Sequence, residues 1–215
     1  MDFANALLDL AGTDRCCGCR RRGSVLCPSC ARGLRPAPDL GPIPGIDRAL
    51  AALEYEDPAR ALVLALKLSG RRGAAEPLVD AMWRRAVREG LRGAVVTWVP
   101  ARPPDVRVRG FDHAELLARG LARRTGLPAR RLVARAGAAP DQASLPAAER
   151  LRNLAGAFRA RPASACVVLV DDLVTTGATA TACAAALRAA GAPGVELMAA
   201  CRTPKNASSV HLTTK

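Results

Sequence analysis

The stretch Cys166-Val-Val-Leu-Val-Asp-Asp-Leu-Val-Thr-Thr-Gly-Ala-Thr179 decides how the rest of the chain is read. Its first five residues are small or apolar and Val-rich, too short a run for a helix and suited to a buried parallel strand. Asp171 and Asp172 stand where that strand is expected to end. Thr175-Thr176-Gly177-Ala178-Thr179 follows as a hydroxylated turn. Ala180, Cys183, Ala184 and Leu187 then recur at helical spacing, with Gly191 as the stop. Such a strand–acid pair–loop–helix order builds a phosphate cradle from loop amides and the free amides of the first helical turn. Thr hydroxyls add neutral donors, and Gly177 permits close backbone approach. Two ionised carboxylates beside a bound phosphate only accept hydrogen bonds, so the vicinal hydroxyls of a ribose are their natural partners. Ribose 5-phosphate meets both requirements.

Outward from this stretch, the chain reads as alternating strands and helices. Strands are expected at Leu50 to Tyr55, Ala94 to Val99, Leu132 to Ala136 and Val195 to Cys201. Helices are expected from Asp57-Pro58 to about Lys67, from Glu76 to Glu89 with Trp83 in the core, and over Ala114 to Leu121. Residues 101–110 read as a basic loop carrying Arg102, Arg107 and Arg109. A loop at the carboxyl end of a parallel strand is where an open α/β sheet binds ligands. Residues 137–160 read as a polar insertion able to close over a bound ester.

The N-terminal part has different chemistry. A short helix is expected over residues 1–14. Cys16, Cys19, Cys27 and Cys30 then form two C-x2-C pairs separated by seven residues. Two such pairs complete a tetrahedral S4 shell for structural Zn2+, with no open position for catalysis. Cys17 is one thiol too many and can in principle replace a neighbour. Cys166, Cys183 and Cys201 read as small buried apolar residues. The expected organisation is a helix and four-Cys module at 1–34, a Pro/Gly-rich linker at 35–48, an α/β domain at 49–204 and a polar tail at 205–215.

Composition narrows the partners. The formal charge is +13 over 215 residues, which invites phosphates or nucleic acid. With aromatics at only 3% of residues, stacking of single strands on side chains is poorly supported. The N-terminus has no secretory pattern and no apolar run reaches membrane-spanning length, so a cytoplasmic protein without membrane insertion is expected.

The motifs together resemble the ComF family, competence-associated proteins in which a zinc finger is fused to a phosphoribosyltransferase-like domain. The resemblance rests on the four Cys, Lys67 to Gly70, Arg107-Val108-Arg109-Gly110-Phe111, Glu149-Arg150 with Asn153 and Gly156-Ala157-Phe158, and the 5-phospho-α-D-ribosyl pyrophosphate (PRPP) signature over 167–179. It implies a Rossmann-like type I phosphoribosyltransferase domain, with PRPP, Mg2+ and an unidentified acceptor as partners. Asp171 and Asp172 would hold the ribose, and Thr175, Thr176, Gly177, Ala178 and Thr179 the 5-phosphate. Arg107 and Arg109 with Mg2+ would hold the pyrophosphate. Two alternatives belong to other classes: an adaptor for imported single-stranded DNA or competence proteins, and a PRPP sensor without turnover. A homodimer completes the expected partners.

The chain departs from the family pattern twice. Asp112-His113 stands where the family commonly has Asn-Gln, an acid beside an expected anion site that would weaken pyrophosphate or recruit Mg2+. His113 there reads as a polar contact or cap. Thr175 stands where purine-salvage relatives carry an Asp, which argues against that acceptor class.

Overall fold

The computed structural model describes residues 15–136 and 156–204. The expected helix at 1–14 and most of the insertion at 137–160 lie outside them. In chain order the elements are α1 (Pro28–Arg32), β1 (Arg48–Glu54), α2 (Ala59–Leu68), α3 (Ala75–Glu89), β2 (Val95–Trp98), α4 (Pro103–Arg109), α5 (His113–Thr125), β3 (Val133–Arg135), β4 (Phe158–Ala160), β5 (Val167–Val174), α6 (Ala178–Ala189) and β6 (Val195–Arg202). The strands β1-β6-β5-β2 form a wholly parallel four-stranded sheet, and β3-β4 an antiparallel pair. The expected α/β domain with a parallel sheet and an N-terminal four-Cys module is therefore present.

Both faces of the sheet are buried, which is why its strands read as continuous apolar runs rather than alternating ones. On one face Val168, Val170, Leu50 and Met198 pack with Leu62, Leu66, Leu78, Met82, Leu117 and Leu121 from α2, α3 and α5. On the other, Val167, Leu169, Val195 and Leu197 meet Cys183, Ala184 and Leu187 of α6, with Val133 and Phe158 of the antiparallel pair. Large aromatics are scarce, so this core depends on close approach of Ala, Val and Leu.

Gly120 is the clearest instance. A Cβ built there would lie 2.6 Å from Val79 Cγ2 and 3.1 Å from its Cγ1, so α5 touches α3 through bare backbone. Val79 is β-branched and cannot turn both methyls away. Gly120→Ala is expected to lose about 1–2 kcal/mol in denaturant unfolding, because overpacking exceeds the helix-propensity gain of about 1 kcal/mol. A stabilised variant would show that the helices can part freely.

Three elements differ from the sequence expectation. The basic loop at 101–110 is largely the helix α4, started by two prolines after Arg102 and ended by Gly110 at φ +76°. Part of the expected insertion is the strand β4, which pairs with β3 and buries Phe158. The strand β5 does not end before the acids. It carries Asp171 and Asp172 within it and runs on to Val174. The Pro/Gly-rich segment, for its part, lies against β1: Ala37 N–H donates to Ala52 O and Glu54 N–H to Arg35 O.

Candidate active site and metal centre

β5 pairs with β2 only from Val167 to Val170, but with β6 as far as Val174. Beyond Val170 its β2 side is open, because β2 stops at Trp98 and Pro100 follows. The segment from Ala101 through α4 to the start of α5 comes into that space. Asp171 and Asp172 are thus at the carboxyl end of the sheet, with a notch in the strand order beside them.

Strand alternation separates the two acids. Val167 and Leu169 belong to the core on the α6 side, and Val168 and Val170 to the core on the α2/α5 side. Asp171 and Asp172 continue that alternation and look to opposite faces. Asp172 is buried at 2% exposure, and its Oδ2 lies 2.9 Å from Lys67 Nζ and 2.9 Å from His113 Nε2. Asp171 is half-buried, its Oδ1 accepting from Asp172 N–H at 2.9 Å. Burial, then the neighbouring charge of Asp172, push the Asp171 carboxyl well above the usual carboxylate range. Burial acts on Asp172 in the same sense, but the contact from His113 and the charge of Lys67 outweigh it and hold that carboxyl below its usual range. The two acids are thus pushed in opposite directions, Asp171 toward its neutral form and Asp172 toward its ionised form.

The protonation of His113 follows from its neighbours. Arg109 Nη1 lies 2.7 Å from His113 Nδ1, and guanidinium can only donate. Nδ1 is therefore the acceptor and Nε2 bears the hydrogen that faces Asp172. The chain Arg109–His113–Asp172–Lys67 is one connected set. Arg109 is further held by Asp105, through its backbone O at 3.2 Å and its carboxylate at 3.6 Å. Arg107, by contrast, is exposed on α4 and joins none of these contacts.

The Asp112 carboxylate is taken up by backbone amides. Its Oδ1 caps α5, accepting from Ala114 N–H at 3.0 Å and Glu115 N–H at 3.3 Å, and its Oδ2 accepts Ala101 N–H at 2.9 Å. With three amide donors it is a structural N-cap that ties α5 to the end of β2. The expectation that it would weaken pyrophosphate or recruit Mg2+ gives way to that role. His113 is the polar contact anticipated, made to Asp172 rather than to its own helix.

After Val174 the chain turns through exposed Thr175 and Thr176 to Gly177, the residue before α6, at φ +78°. A Cβ on Gly177 would meet Ile43 at 3.1 Å, so the turn is both left-handed and packed on the 40–43 segment. Ala178 and Thr179 open α6. Thr175 and Thr176 line a cleft of about 500 Å³ with Leu40, Ile43, Val174 and Arg202.

The four Sγ atoms of Cys16, Cys19, Cys27 and Cys30 all lie within 4.8 Å of one another, and Cys19 Sγ is 3.6 Å from Cys27 Sγ. Zn–S bonds of about 2.3 Å in a tetrahedron place sulfurs about 3.8 Å apart, so the set fits the ion. Burial raises the Cys16 thiol, but amides of Cys27, Cys19 and Gly18 bring it down to about 6. Cys30 is pushed up to about 12, first by Cys16 and then by burial. Four thiolates gather stably only around a cation. Gly18 is required here, since a Cβ would lie 2.9 Å from Cys30 Sγ. Cys17 is not part of the cluster: it packs into the main core, with Arg71 Nη1 3.5 Å from its Sγ.

Lys67 and His113 were legible only as parts of motifs, with no assigned partner. Arg202 carried a signal that sequence reading passed over, a single Arg closing the strand Val-Glu-Leu-Met-Ala-Ala-Cys.

Two curated proteins span nearly the whole chain. DNA utilization protein YhgH of Salmonella typhi is 31% identical over 209 residues, covering 83% of this chain and 90% of its own. The Escherichia coli K12 protein of the same name is 31% identical over 207 residues, covering 87% and 88%. The chain belongs to the YhgH family. No protein-family model matches it. Among solved structures, adenine phosphoribosyltransferase from Leishmania tarentolae is similar with a TM-score of 0.41 at 13% identity, covering 76% of this chain and 94% of its own. Glutamine PRPP amidotransferase from B. subtilis gives a TM-score of 0.41 at 21% identity over 60% of this chain, which spans 27% of that enzyme. None of the described helices of this YhgH-family chain is long and apolar enough to cross a membrane.

Proposed function

We propose that this YhgH-family chain binds PRPP and transfers its phosphoribosyl group to an acceptor with release of pyrophosphate. The observation that carries the reading is the continuous run from the acids of β5 through the Thr175–Thr176–Gly177 turn into α6, at the open carboxyl end of the sheet. The amides of 175–179 and the first turn of α6 take the 5-phosphate. Asp171, the more exposed acid, meets the ribose hydroxyls first, and Asp172 follows when its contacts to Lys67 and His113 loosen. Those released donors, with Arg109 and the exposed Arg107, face a leaving pyrophosphate. Mg2+ bound with PRPP supplies charge neutralisation for that diphosphate. The acceptor forms a bond to the anomeric carbon as the carbon–oxygen bond to pyrophosphate breaks, and fixed cations stabilise the charge that develops on the leaving oxygen.

The test is calorimetric titration with PRPP and Mg2+. Wild type is expected to bind, Asp171→Ala to weaken binding at least roughly tenfold, and the Asp171→Ala/Asp172→Ala double variant to abolish it. Absence of binding by folded, zinc-loaded wild type would overturn the reading. Binding with no pyrophosphate release across an acceptor panel would leave a PRPP sensor.

A second reading is favoured by the relatives, which are DNA utilization proteins by name, and by a basic groove. Between the four-Cys module and α2 runs a groove of about 640 Å³, lined by Arg20, Arg60 and Arg71 among others. In this reading the groove tracks the backbone of single-stranded DNA. Affinity would then fall linearly with log salt, by a slope of about −0.7 per phosphate contacted. DNA affinity that is insensitive to salt, or lost in Asp171→Ala, would exclude it.

A further inference from the structure

Arg202 ends β6 inside the sheet, at 5% exposure, and lines the cleft below the Thr175–Thr176 turn. Its Nη1 donates to Asp39 O at 3.2 Å and its Nε to Thr203 O at 3.4 Å, both neutral carbonyls. The acids that might serve it are otherwise placed. The Asp39 carboxylate pairs with Arg85. Glu54, its register partner on β1, makes no ion pair with it. Among the described residues no carboxylate pairs with the Arg202 guanidinium, and its Nη2, which makes no hydrogen bond, is not sealed from solvent. A cation whose stem is buried and whose remaining donor has no acidic partner keeps its capacity to pair with an anion that enters the cleft.

The remaining walls say what kind of ligand. Leu40, Pro42, Ile43 and Val174 are apolar, and the cleft of about 500 Å³ suits a small organic body rather than a bare ion. One guanidinium faces it, which matches a single carboxylate and its fork geometry. Thr175 and Thr176 border both this cleft and the proposed phosphate loop, so a molecule seated here lies beside a bound ribose phosphate.

We propose that the cleft is an anion subsite in which Arg202 receives the carboxylate of a small, flat, apolar-bodied molecule, and that this molecule is the phosphoribosyl acceptor. Only the acceptor role rests on the PRPP reading; the anion subsite stands on Arg202 and the cleft alone. The absence of an acid at Thr175 agrees with it, since a carboxylate there would repel such a ligand.

The experiment compares nicotinate with nicotinamide, two flat rings of nearly equal size that differ in charge. Each is titrated calorimetrically into the full chain, with and without saturating ribose 5-phosphate. Wild type is expected to prefer nicotinate by roughly tenfold or more. Arg202→Met is expected to lose that preference while ribose 5-phosphate affinity and thermal midpoint stay unchanged. Arg202→Lys, which keeps the charge without the fork, is expected to retain part of it. Equal affinities for the two rings, or no nicotinate binding at millimolar concentration, would overturn the proposal. So would an Arg202→Met variant that weakens ribose 5-phosphate instead, for Arg202 would then serve the sugar phosphate. A wild type that prefers nicotinate but ignores ribose 5-phosphate would keep the subsite and remove the PRPP reading.

Discussion

Cys27→Ser is expected to empty the metal site and lower the thermal midpoint by on the order of 10 °C. Structural zinc supplies about 10–16 kcal/mol of apparent binding energy in small modules, and a serine hydroxyl is a poor replacement for a thiolate. Not all of that is lost here, because the module also leans on the main core through Cys17, Val25, Leu26 and Leu34. A loss of several kcal/mol corresponds to that midpoint shift, at about 2–4 °C per kcal/mol for a chain of this size. Cys17→Ser should leave zinc content near one per chain, since Cys17 stands outside the cluster. Metal analysis with thermal unfolding checks both. Unchanged zinc in Cys27→Ser, or lost zinc in Cys17→Ser, would mean a different ligand set.

The second large effect concerns Lys67. Its side chain is partly exposed while that of Asp172 is only 3% so, and Lys67→Met leaves a buried carboxylate with the His113 ring as its remaining side-chain partner. Removing one member of such a pair costs about 3 kcal/mol near neutral pH. The sign of the pH dependence follows from the direction of the shift. Asp172 is held below its ordinary value of 3.8 in the folded chain, so the pairing contributes stability above that pH. The contribution is lost as pH falls through the depressed folded value. Asp171 is shifted the other way and is penalised as pH rises; the charge of Lys67 opposes that shift, so its loss adds to the same gap at neutral pH. The stability gap between wild type and Lys67→Met should therefore be widest near pH 7 and close on acidification toward pH 3. A gap that does not change with pH would mean that Lys67 acts through packing of its stem alone.

The acidic pair shows how far local reading reaches. An apolar run, two acids and a hydroxylated turn before a helix identify a strand–turn–helix unit, because each part acts through its own backbone or its near neighbours. The same local logic finds four ligands in two C-x2-C turns. It does not find that β5 continues past the acids, because strand length there is decided by β6, which pairs with it up to Arg202. Nor does it find α4, whose prolines and arginines read equally well as a loop.

Residue order alone is enough to read a parallel α/β unit whose apolar strand carries two acids ahead of a hydroxylated turn and a helix, with four Cys spaced to hold a metal ion at its start. Those are properties of short segments, where residue type and spacing act over one turn or one strand. Which side chains meet is settled by the packing of distant elements. Lys67, Arg109, His113 and Asp172 come from four elements, and their contacts exist because α2, α4 and α5 crowd one face at the end of β5. Arg202 stands without a counter-ion because Asp39 is drawn to Arg85. Such pairings depend on distances across the fold, which residue order alone does not record.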